Sequence, residues 1–397
     1  MQIGGWGLIF LIYFYTVLAP ASIAVPIPII GDIAQAYGAS QFESGWIIST
    51  PAAVTAAAAL IGGWIVDRKG DRPVLFVGVV GLLIGDLAVL VAPNFAWLIA
   101  ARLIEGIGYL GIVVGSSTMM LRITSGHRRT SAMALWATSI PVGIGVVAPL
   151  VAPLAGTGKW PLAFVGHAVL AAIGVFAIGL LPKPVKGHAT SRTAGLLTVF
   201  RRPAPFTLGV AFGASALLQT GCVTVLPIFL MKAYALSPVV ASAVSTAQMV
   251  TNALGSLAIG PLLNRKWRLS TVTALAIVLA LLGGLVLFAP YSGLPIAVIA
   301  SMVLTIGTGL IISLGMAMLP RIAPSPEAIG ATSGLVLQFS LFGVLIGPPI
   351  IFAAWATGDW LILAVVVVVT CAITLVLMPV WRRATPFEAA SAREIRP

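Results

Sequence analysis

The stretch Gly63-Trp64-Ile65-Val66-Asp67-Arg68-Lys69-Gly70-Asp71-Arg72-Pro73 decides the fold of this chain. It places five charges between two long apolar runs, in a sequence in which only 8% of the residues are charged. Gly63 allows the end of one helix to approach a neighbour closely, and Gly70 supplies a turn position that tolerates a positive φ. Pro73 falls in the first turn of the next helix, where a backbone N–H has no partner within the helix, so the absence of this group in proline costs no hydrogen bond. The stretch therefore predicts a tight polar turn between two apolar helices.

Composition sets the class of protein. Of the 397 residues 59% are hydrophobic, and the mean hydropathy is +1.10. Because no soluble domain of this size can bury so much apolar surface, we expect a multi-spanning, all-α membrane protein. The two cysteines, Cys222 and Cys371, lie inside apolar runs, which argues against a disulfide framework and a metal site. We expect no cofactor.

Twelve apolar runs are long enough to cross a bilayer, which takes about 20 residues each. The predicted spans are 5–30, 45–66, 73–92, 95–121, 131–153, 161–181, 205–230, 239–263, 269–289, 294–319, 330–352 and 360–381. The first run lacks a basic segment before it and is followed by more spans, so we expect a retained helix rather than a signal peptide.

Basic residues predict the orientation. If both termini are cytoplasmic, 19 of the 22 lysines and arginines fall in inner loops or the tail; Lys159 and Lys232 fall outside, and Arg102 lies within a span. The net charge of +12 therefore reflects contact with anionic lipid and not with nucleic acid. For these reasons we expect a bacterial cytoplasmic membrane location, in a chain that acts as a monomer.

The sequence divides into two similar halves. The polar segment 182–204 separates a six-helix bundle at 1–181 from a second at 205–381, and 382–397 forms a polar tail. Gly260-Pro-Leu-Leu-Asn264-Arg265-Lys266 repeats the order that starts at Gly63, 197 positions later (260 − 63). Further pairs at offsets of 199 to 200 are Arg122 with Arg321, Gly143 with Gly343, and Pro149 with Pro349. These offsets predict an internal duplication.

The spacing G-x-x-x-D-R-x-G-x-R, carried by Gly63, Asp67, Arg68, Gly70 and Arg72, resembles the loop between helices 2 and 3 of the major facilitator superfamily of secondary transporters. Asp71 departs from that pattern, in which a basic residue is usual. Together with the duplication, the resemblance covers the whole chain. It implies twelve transmembrane helices in two pseudo-symmetric bundles, transport rather than enzymatic activity, and a small-molecule substrate.

The resemblance also implies a role for the loop. Asp67 would end helix 2 and dock near the N-terminus of helix 11, about Ile329 and Gly330, where a carboxylate is stabilised by the helix dipole. We call this contact the latch. Arg122 is expected as its internal counter-charge.

Ionisable residues inside spans are the candidates for function, because each is costly to bury in lipid. Asp86, Arg102 and Glu105 qualify. Asp86 and Arg102 each lie eight residues from the turn at Asn94, so they share a depth of roughly 12 Å and predict a cross-helix salt bridge. Arg102 and Glu105 are also neighbours on one helix face. If Asp86 and Glu105 compete for Arg102, a change in the protonation of Glu105 can switch the partner of the arginine. The alternative is that the three charges form one static pairing that holds helices 3 and 4 together.

Arg102-Leu-Ile-Glu105-Gly106-Ile-Gly108 is similar to the helix-4 motif of proton-linked members of the superfamily. The resemblance implies that Arg102 takes part in proton transfer; Glu105 stands where glutamine is commoner. His167 lies in helix 6, and since helices 3, 6, 9 and 12 form outer support in the superfamily, we expect it to be a hydrogen-bonded packing residue.

The resemblance implies a substrate cavity lined by helices 1, 4, 7 and 10. Their polar and aromatic candidates are Tyr13, Tyr15, Thr16, Arg102, Glu105, Tyr109, Gln219, Thr224 and Thr308. Helix-packing hydroxyls are the alternative for about half of these. The gating helices 5 and 11 carry glycines and prolines that allow close packing and bending, among them Gly143, Pro149, Gly343 and Pro348.

Three functions follow as hypotheses. The first is a proton-coupled secondary active transporter of a small organic solute, working by alternating access. The second is an uncoupled facilitator, in which the helix-4 charges bind an organic anion. A drug/proton antiporter is the third, although its helix-5 pattern is broken here by Ala148, Ala152 and Pro153. Membrane enzymes and sensors are disfavoured, since the chain lacks a His or carboxylate cluster in its loops and an output domain.

Overall fold

All regular secondary structure in the described part of the chain is helical. The computed structural model describes residues 5–124, 128, 132, 135–136, 138–183, 199, 202–265, 267–290, 292–323 and 329–382. Thirteen α-helices are found there: α1 (Trp6–Ala24), α2 (Ile30–Tyr37), α3 (Gln41–Lys69), α4 (Asp71–Leu90), α5 (Phe95–Ile123), α6 (Ser139–Val151), α7 (Pro161–Ala177), α8 (Pro203–Tyr234), α9 (Pro238–Asn264), α10 (Leu269–Leu287), α11 (Leu294–Ile322), α12 (Ile329–Ala356) and α13 (Trp360–Arg382). Short 3₁₀ turns, Ala152–Leu154 and Ile178–Leu180, extend α6 and α7.

Eleven of the twelve predicted spans fall on long helices, and the fifth, 131–153, falls on the shorter helix α6 and partly on residues outside the described ones. Nine of the described helices are long and apolar enough to cross a bilayer: α1, α4, α5, α7, α8 and α10 to α13. Large apolar side chains project outward from them, such as Phe176 at 86% exposure and Val376 at 71%. A soluble protein would not expose so much apolar surface, so the prediction of an all-α, multi-pass membrane protein is confirmed.

The first span differs from its prediction, which ran from 5 to 30. Helix α1 ends at Ala24, and the short helix α2 follows after a turn. Because α2 is an additional helix, each predicted span from the second onward corresponds to the helix with the next higher number, so that predicted helices 5 and 11 are α6 and α12. Pro26 and Pro28 lie in that turn and lack the N–H groups that would continue the helix. Asp32 in α2 accepts a hydrogen bond from the backbone N–H of Gly156, at 2.8 Å, which ties α2 to the loop after α6.

The turn at Gly70 takes the predicted form. Gly70 has φ +88°, a conformation that strongly favours glycine, and it joins α3 directly to α4. Pro73 is in the first turn of α4, as expected. At the other end of α3, Ser40 and Glu43 form a capping box, which lowers the pKa of the exposed Glu43 carboxyl by hydrogen bonding to its charged form.

The chain forms two compact units, and their boundaries fall inside α8 and α9. The first unit contains residues 1–189 and 224–249; the second contains 190–223 and 250–397. The predicted linker 182–204 lies largely outside the described residues, so the division into bundles at 1–181 and 205–381 stays a prediction, as does the tail after 382.

In the first unit, α4 and α5 pack backbone against backbone. A methyl group added at Gly108 would lie 2.5 Å from the backbone nitrogen of Leu82 and 2.7 Å from the Gly78 carbonyl oxygen. One at Gly111 would lie 2.8 Å from the Cα of Gly78. Only glycine permits this approach, which fixes α4 and α5 in register and so positions the charged side chains that both helices carry.

The second unit repeats this packing between α10 and α11. A methyl group on Gly307 would lie 2.5 Å from the backbone nitrogen of Ala280 and 2.6 Å from the Ala276 carbonyl oxygen. Gly307 stands 199 positions after Gly108 (307 − 108), an offset equal to that between Arg122 and Arg321. The same helix contact at the same offset supports the predicted internal duplication.

Candidate functional site

Four charged or titratable side chains meet inside the first unit. Asp86 of α4, Arg102 and Glu105 of α5, and His167 of α7 are each 3% exposed or less. We call these four residues the charge cluster. Burying such groups is costly unless each charge is compensated, so their contacts define what the cluster can do chemically.

Arg102 is held by two carbonyl groups that prolines leave without a helical donor. Its Nε donates to the carbonyl oxygen of Ile47, and its second terminal nitrogen donates to that of Ser22, both at 2.9 Å. Each carbonyl lies four residues before a proline, Pro51 in α3 and Pro26 after α1. Because proline has no N–H, neither carbonyl receives the hydrogen bond that a regular helix supplies from four residues later. The arginine takes the place of both missing donors.

The remaining terminal nitrogen of Arg102 donates to Glu105 Oε2, one turn further along the same helix face. The guanidinium also lies over the ring of Phe164, 5.9 Å from its centroid. The pairing of Arg102 with Glu105 that the spacing allowed is present. The other oxygen of this carboxylate, Glu105 Oε1, is buried and has no hydrogen-bond partner among the described residues.

His167 joins three helices. Its Nδ1 lies 2.7 Å from Asp86 Oδ2, and its Nε2 lies 3.1 Å from the carbonyl oxygen of Leu18 in α1. A carbonyl oxygen can only accept, so Nε2 carries a hydrogen. The short Nδ1–Oδ2 contact then requires one further proton, on either the imidazole or the carboxyl. In both forms the pair has no net charge.

The predicted salt bridge between Asp86 and Arg102 is therefore wrong. Asp86 and Arg102 share a depth, but Asp86 is bonded to His167 of α7. Arg102 is bonded instead to the carbonyl oxygens of α1 and α3 and to Glu105. Asp86 Oδ1 is buried, and no residue in the described part of the chain forms a hydrogen bond with it. The expectation that His167 is hydrogen-bonded is confirmed, but its partner Asp86 was not predicted, although His167 is the one histidine within a predicted span.

Arg122 pairs with Asp71, in the same loop as Asp67. Its Nε lies 2.6 Å from Asp71 Oδ2 and its terminal nitrogen 3.2 Å from Oδ1, which joins the ends of α4 and α5. Asp71 is 2% exposed and also accepts from the backbone N–H of Arg72, at 2.8 Å. The residue that departs from the superfamily pattern therefore binds Arg122, whereas the expected role of Arg122 as counter-charge to the latch stays a prediction.

The latch itself lies outside the described contacts. The side chains of Asp67 and Ile329 are not described, and neither are the surroundings of Gly63 and Gly330. Arg68 is exposed near the end of α3, and Arg72 reaches the Gly179 carbonyl oxygen at 3.5 Å.

Several predicted cavity residues are engaged in packing. The Tyr15 hydroxyl donates to the Gly174 carbonyl of α7 at 2.7 Å, so Tyr15 faces a neighbouring helix rather than a solute. Thr16 bonds to its own helix at Ile12, and Thr308 accepts from the Asn252 amide at 3.4 Å. Arg102 and Glu105 have no exposed surface, and Tyr109 and Thr224 are buried. The half-buried candidates are Tyr13, whose hydroxyl contacts Thr138 Oγ1 at 2.7 Å, and Gln219.

The glycines of the predicted gating helices lie at close helix contacts. A methyl group at Gly143 in α6 would lie 2.8 Å from the Pro20 ring of α1. At Gly343 in α12 it would lie 2.1 Å from the carbonyl oxygen of Gly213 in α8. Pro149 lies within α6, and Pro348 within α12. Close packing is present at both sites, and gating stays a prediction.

Comparison with known protein families shows which family the chain belongs to. The family model of the Major Facilitator Superfamily matches residues 12–228 and again 208–397. The chain belongs to the Major Facilitator Superfamily. The resemblance seen in the loop at Gly63 is thereby confirmed, together with the fold class, and the prediction that the chain is not an enzyme agrees with its family.

Relatives within the superfamily match over parts of the chain. The 3-(3-hydroxy-phenyl)propionate transporter of Escherichia coli (strain K12) is 27% identical over 242 residues, 59% of either chain. The multidrug transporter MdfA of Yersinia pestis is 33% identical over 117 residues, 28% of this chain and 27% of the relative. The chain thus spans about three fifths or less of the length of these relatives. A solved bacterial homologue of the lysosomal transporter Spinster shares the fold, with TM-score 0.79, 15% identity and coverage of 96% and 98% of the two chains.

Proposed function

We propose that this chain is a secondary active transporter of a small organic solute, that it is coupled to protons, and that it works by alternating access in the bacterial cytoplasmic membrane. Both termini would be cytoplasmic and the monomer would be the working unit. The observation that carries the proposal is the buried Arg102–Glu105 pair. Burial opposes a charge on the Glu105 carboxyl and the neighbouring cation favours it, so this carboxyl can exist in either protonation state.

Glu105 is the proposed proton carrier. As a carboxylate it is compensated by Arg102; as a neutral acid it releases that nitrogen, while Arg102 keeps the carbonyl groups of Ile47 and Ser22. Arg102 therefore keeps two hydrogen-bond acceptors in either state, although the cluster has one net positive charge when Glu105 is neutral. Since these carbonyls belong to α3 and to α1, a change at Glu105 alters the forces among three helices of the unit.

The latch and the cavity remain part of the proposal. Asp67 and Gly63 would hold the cytoplasmic side closed against helix α12, with Arg68 and Arg72 in the same loop. Tyr13 and Gln219 would line the solute path, since neither is fully buried. The gating function of α6 and α12 is proposed from their prolines and from the tight contacts at Gly143 and Gly343.

The proposed solute is largely apolar. Between residues 205 and 381 the second half has seven charged residues, each outside a predicted span: Lys232, Arg265, Lys266, Arg268, Arg321, Glu327 and Asp359. This half can therefore offer a solute apolar surface, hydroxyls and amides within the membrane. The names of the relatives point the same way, to an aromatic acid in one case and to many drugs in the other.

Two other functions make different predictions. An uncoupled facilitator of an organic anion would use Arg102 as its anion site, but Arg102 is fully buried and three of its nitrogens bond to protein acceptors. A drug/proton antiporter is favoured by the similarity to MdfA. It differs from a symporter in the direction of proton movement.

The test is a pH-indicator assay on cells that overproduce the chain. A panel led by 3-(3-hydroxyphenyl)propionate and by lipophilic cations is added to unbuffered cells. Alkalinisation of the medium supports proton symport, acidification supports antiport, and solute uptake without a pH change supports the facilitator. Cells that carry Arg102→Gln serve as the control, since this variant should show no coupled pH change.

A further inference from the structure

The contacts of His167 separate the two acids of the charge cluster. Asp86 is bonded by the histidine, whereas Glu105 is bonded by Arg102. The charged or titratable groups that face Glu105 are Arg102 on its own helix, Asp86 on α4 and His167 on α7. Helices α1 and α3 contribute the carbonyl oxygens of Ser22 and Ile47.

Helix packing gives the two acids fixed places. Gly85, next to Asp86, lies directly against the Glu105 side chain, since a methyl group at Gly85 would overlap its Cγ. Asp86 therefore stays beside Glu105 as long as α4 and α5 remain in register. Its orientation comes from His167, which is itself fixed by the Leu18 carbonyl. The Asp86 carboxylate and the His167 imidazolium act in opposite directions on a charge at Glu105, so the pair affects Glu105 through the positions of its two charges.

We propose that His167 and Asp86 form a lasting imidazolium–aspartate pair that positions the Asp86 carboxylate beside Glu105 and leaves Glu105 as the exchanging acid of the cluster. This role goes beyond the packing function that the sequence predicted for His167. It rests on the proposed function only in taking Glu105 as the proton carrier. His167 and Asp86 are positioning residues, because they act on the proton site through Glu105 and not by contact with the solute.

The charge balance requires the pair to keep its shared proton, and we place this proton on the imidazole because a carboxyl group is ordinarily the stronger acid of the two. Imidazolium and aspartate compensate each other, and Arg102 and Glu105 do the same, so the cluster is neutral when Glu105 is ionised. If the histidine lost its Nδ1 proton, that nitrogen would face the carboxylate with a lone pair, and Asp86 would be an uncompensated buried anion. Protonation of Glu105 instead gives the cluster one positive charge on Arg102, which the carbonyl oxygens of Ile47 and Ser22 stabilise by accepting its hydrogen bonds.

The first test uses the unmodified protein, reconstituted in lipid and labelled with nitrogen-15 in histidine. The chain has three histidines, and the signal of His167 is assigned by its loss in His167→Gln. We expect both ring nitrogens of His167 to carry hydrogen across the pH series. A ring with one bare nitrogen at neutral pH would overturn the proposal.

The second test counts protonated carboxyl groups by infrared difference spectroscopy over the same pH series. One buried carboxyl band should titrate in the unmodified protein, disappear in Glu105→Gln and remain in Asp86→Asn. His167→Gln should add a second band, from Asp86, because a buried carboxylate without its cation takes up a proton. The double variant Asp86→Asn with His167→Gln should lose that second band and keep the first.

The variants keep the test open to refutation. If the titrating band of the unmodified protein disappears in Asp86→Asn, the exchanging proton resides on the pair and the proposal is wrong. If His167→Gln does not fold, the double variant, which removes both members of the neutral pair, still decides which acid titrates. Neither readout needs a solute. A protein that meets both expectations but moves no protons would refute the proposed function alone.

Discussion

Arg102 donates its Nε hydrogen to the carbonyl oxygen of Ile47, at 2.9 Å, and this carbonyl is available because Pro51 follows four residues later. A proline in a transmembrane helix usually weakens it by removing one hydrogen bond. In this chain the vacated acceptor instead receives a buried cation. The arrangement links a backbone defect in α3 to the position of the charge in α5.

Replacing Pro51 with alanine restores an N–H that competes with Arg102 for the Ile47 carbonyl. The regained helix bond and the loss of a charged hydrogen bond oppose each other, each at about 2–3 kcal/mol, so we expect little change in unfolding free energy. We expect proton-coupled transport to fall, because Arg102 loses one of its two fixed acceptors. Thermal unfolding and the pH-indicator assay measure the two effects separately.

Pro227→Ala in α8 is the matched control, because the carbonyl four residues before it, at Val223, is not an acceptor of Arg102. It should restore a helix bond without altering proton coupling. A Pro51→Ala variant with unchanged coupling would mean that the Ile47 contact is not needed to hold the arginine.

Gly85→Ala should disturb the charge cluster from the opposite side. The added methyl group overlaps the Glu105 side chain and lies 2.9 Å from the Glu105 backbone nitrogen, so α4 and α5 must separate or Glu105 must move. Overpacking of this kind costs about 1–3 kcal/mol. We expect a lower melting temperature and weaker coupling. Gly166→Ala in α7, where no atom lies within 4 Å of the new methyl group, should leave both unchanged.

The Arg122–Asp71 pair predicts a non-additive result. Asp71→Asn leaves a partly exposed arginine without its acid, and Arg122→Gln leaves a buried carboxylate without its base. We expect each change to cost about 1–3 kcal/mol of unfolding free energy, the second more than the first. The double variant should cost less than the sum of the single changes, as contacting residues do. Additive costs in chemical or thermal unfolding would contradict the pairing.

The spans and the turns between them could be read from the sequence, because they follow from local rules. Apolar length fixes most of the helices to within a few residues, and Gly70 takes the positive φ that the turn requires. The end of α1 was misplaced because run length outweighed Pro26 and Pro28. These prolines were a visible signal, and they also explain why the Ser22 carbonyl is open to Arg102.

The pairing of charges could not be read in the same way. Equal depth suggested Asp86 with Arg102, but depth along a hairpin says nothing about which third helix lies beside it. Because α7 lies beside α4, Asp86 bonds to His167. Arg102 bonds to carbonyl oxygens of α1 and α3 that lack a helical donor because a proline follows four residues later. At the loop, the superfamily pattern directed attention to Asp67 and away from Asp71, the residue in which this chain differs.

Asp67→Asn tests the proposed latch. Without its charge the side chain loses the attraction to the start of α12, worth about 1 kcal/mol. We expect normal insertion and folding but slow transport, measured as the initial rate of solute uptake at equal protein levels. Asp71→Asn is the comparison, since it should lower stability as well. Uptake at the unmodified rate in Asp67→Asn would remove the latch from the account.

The measurement that most directly tests proton coupling is solute accumulation in proteoliposomes with an imposed pH gradient, comparing the unmodified chain with Glu105→Gln. The solute is the one that gives a pH change in cells. We predict that the unmodified chain accumulates it, or expels it, against its own gradient. Glu105→Gln should only equilibrate it. Gradient-driven accumulation that persists undiminished in Glu105→Gln would contradict the account.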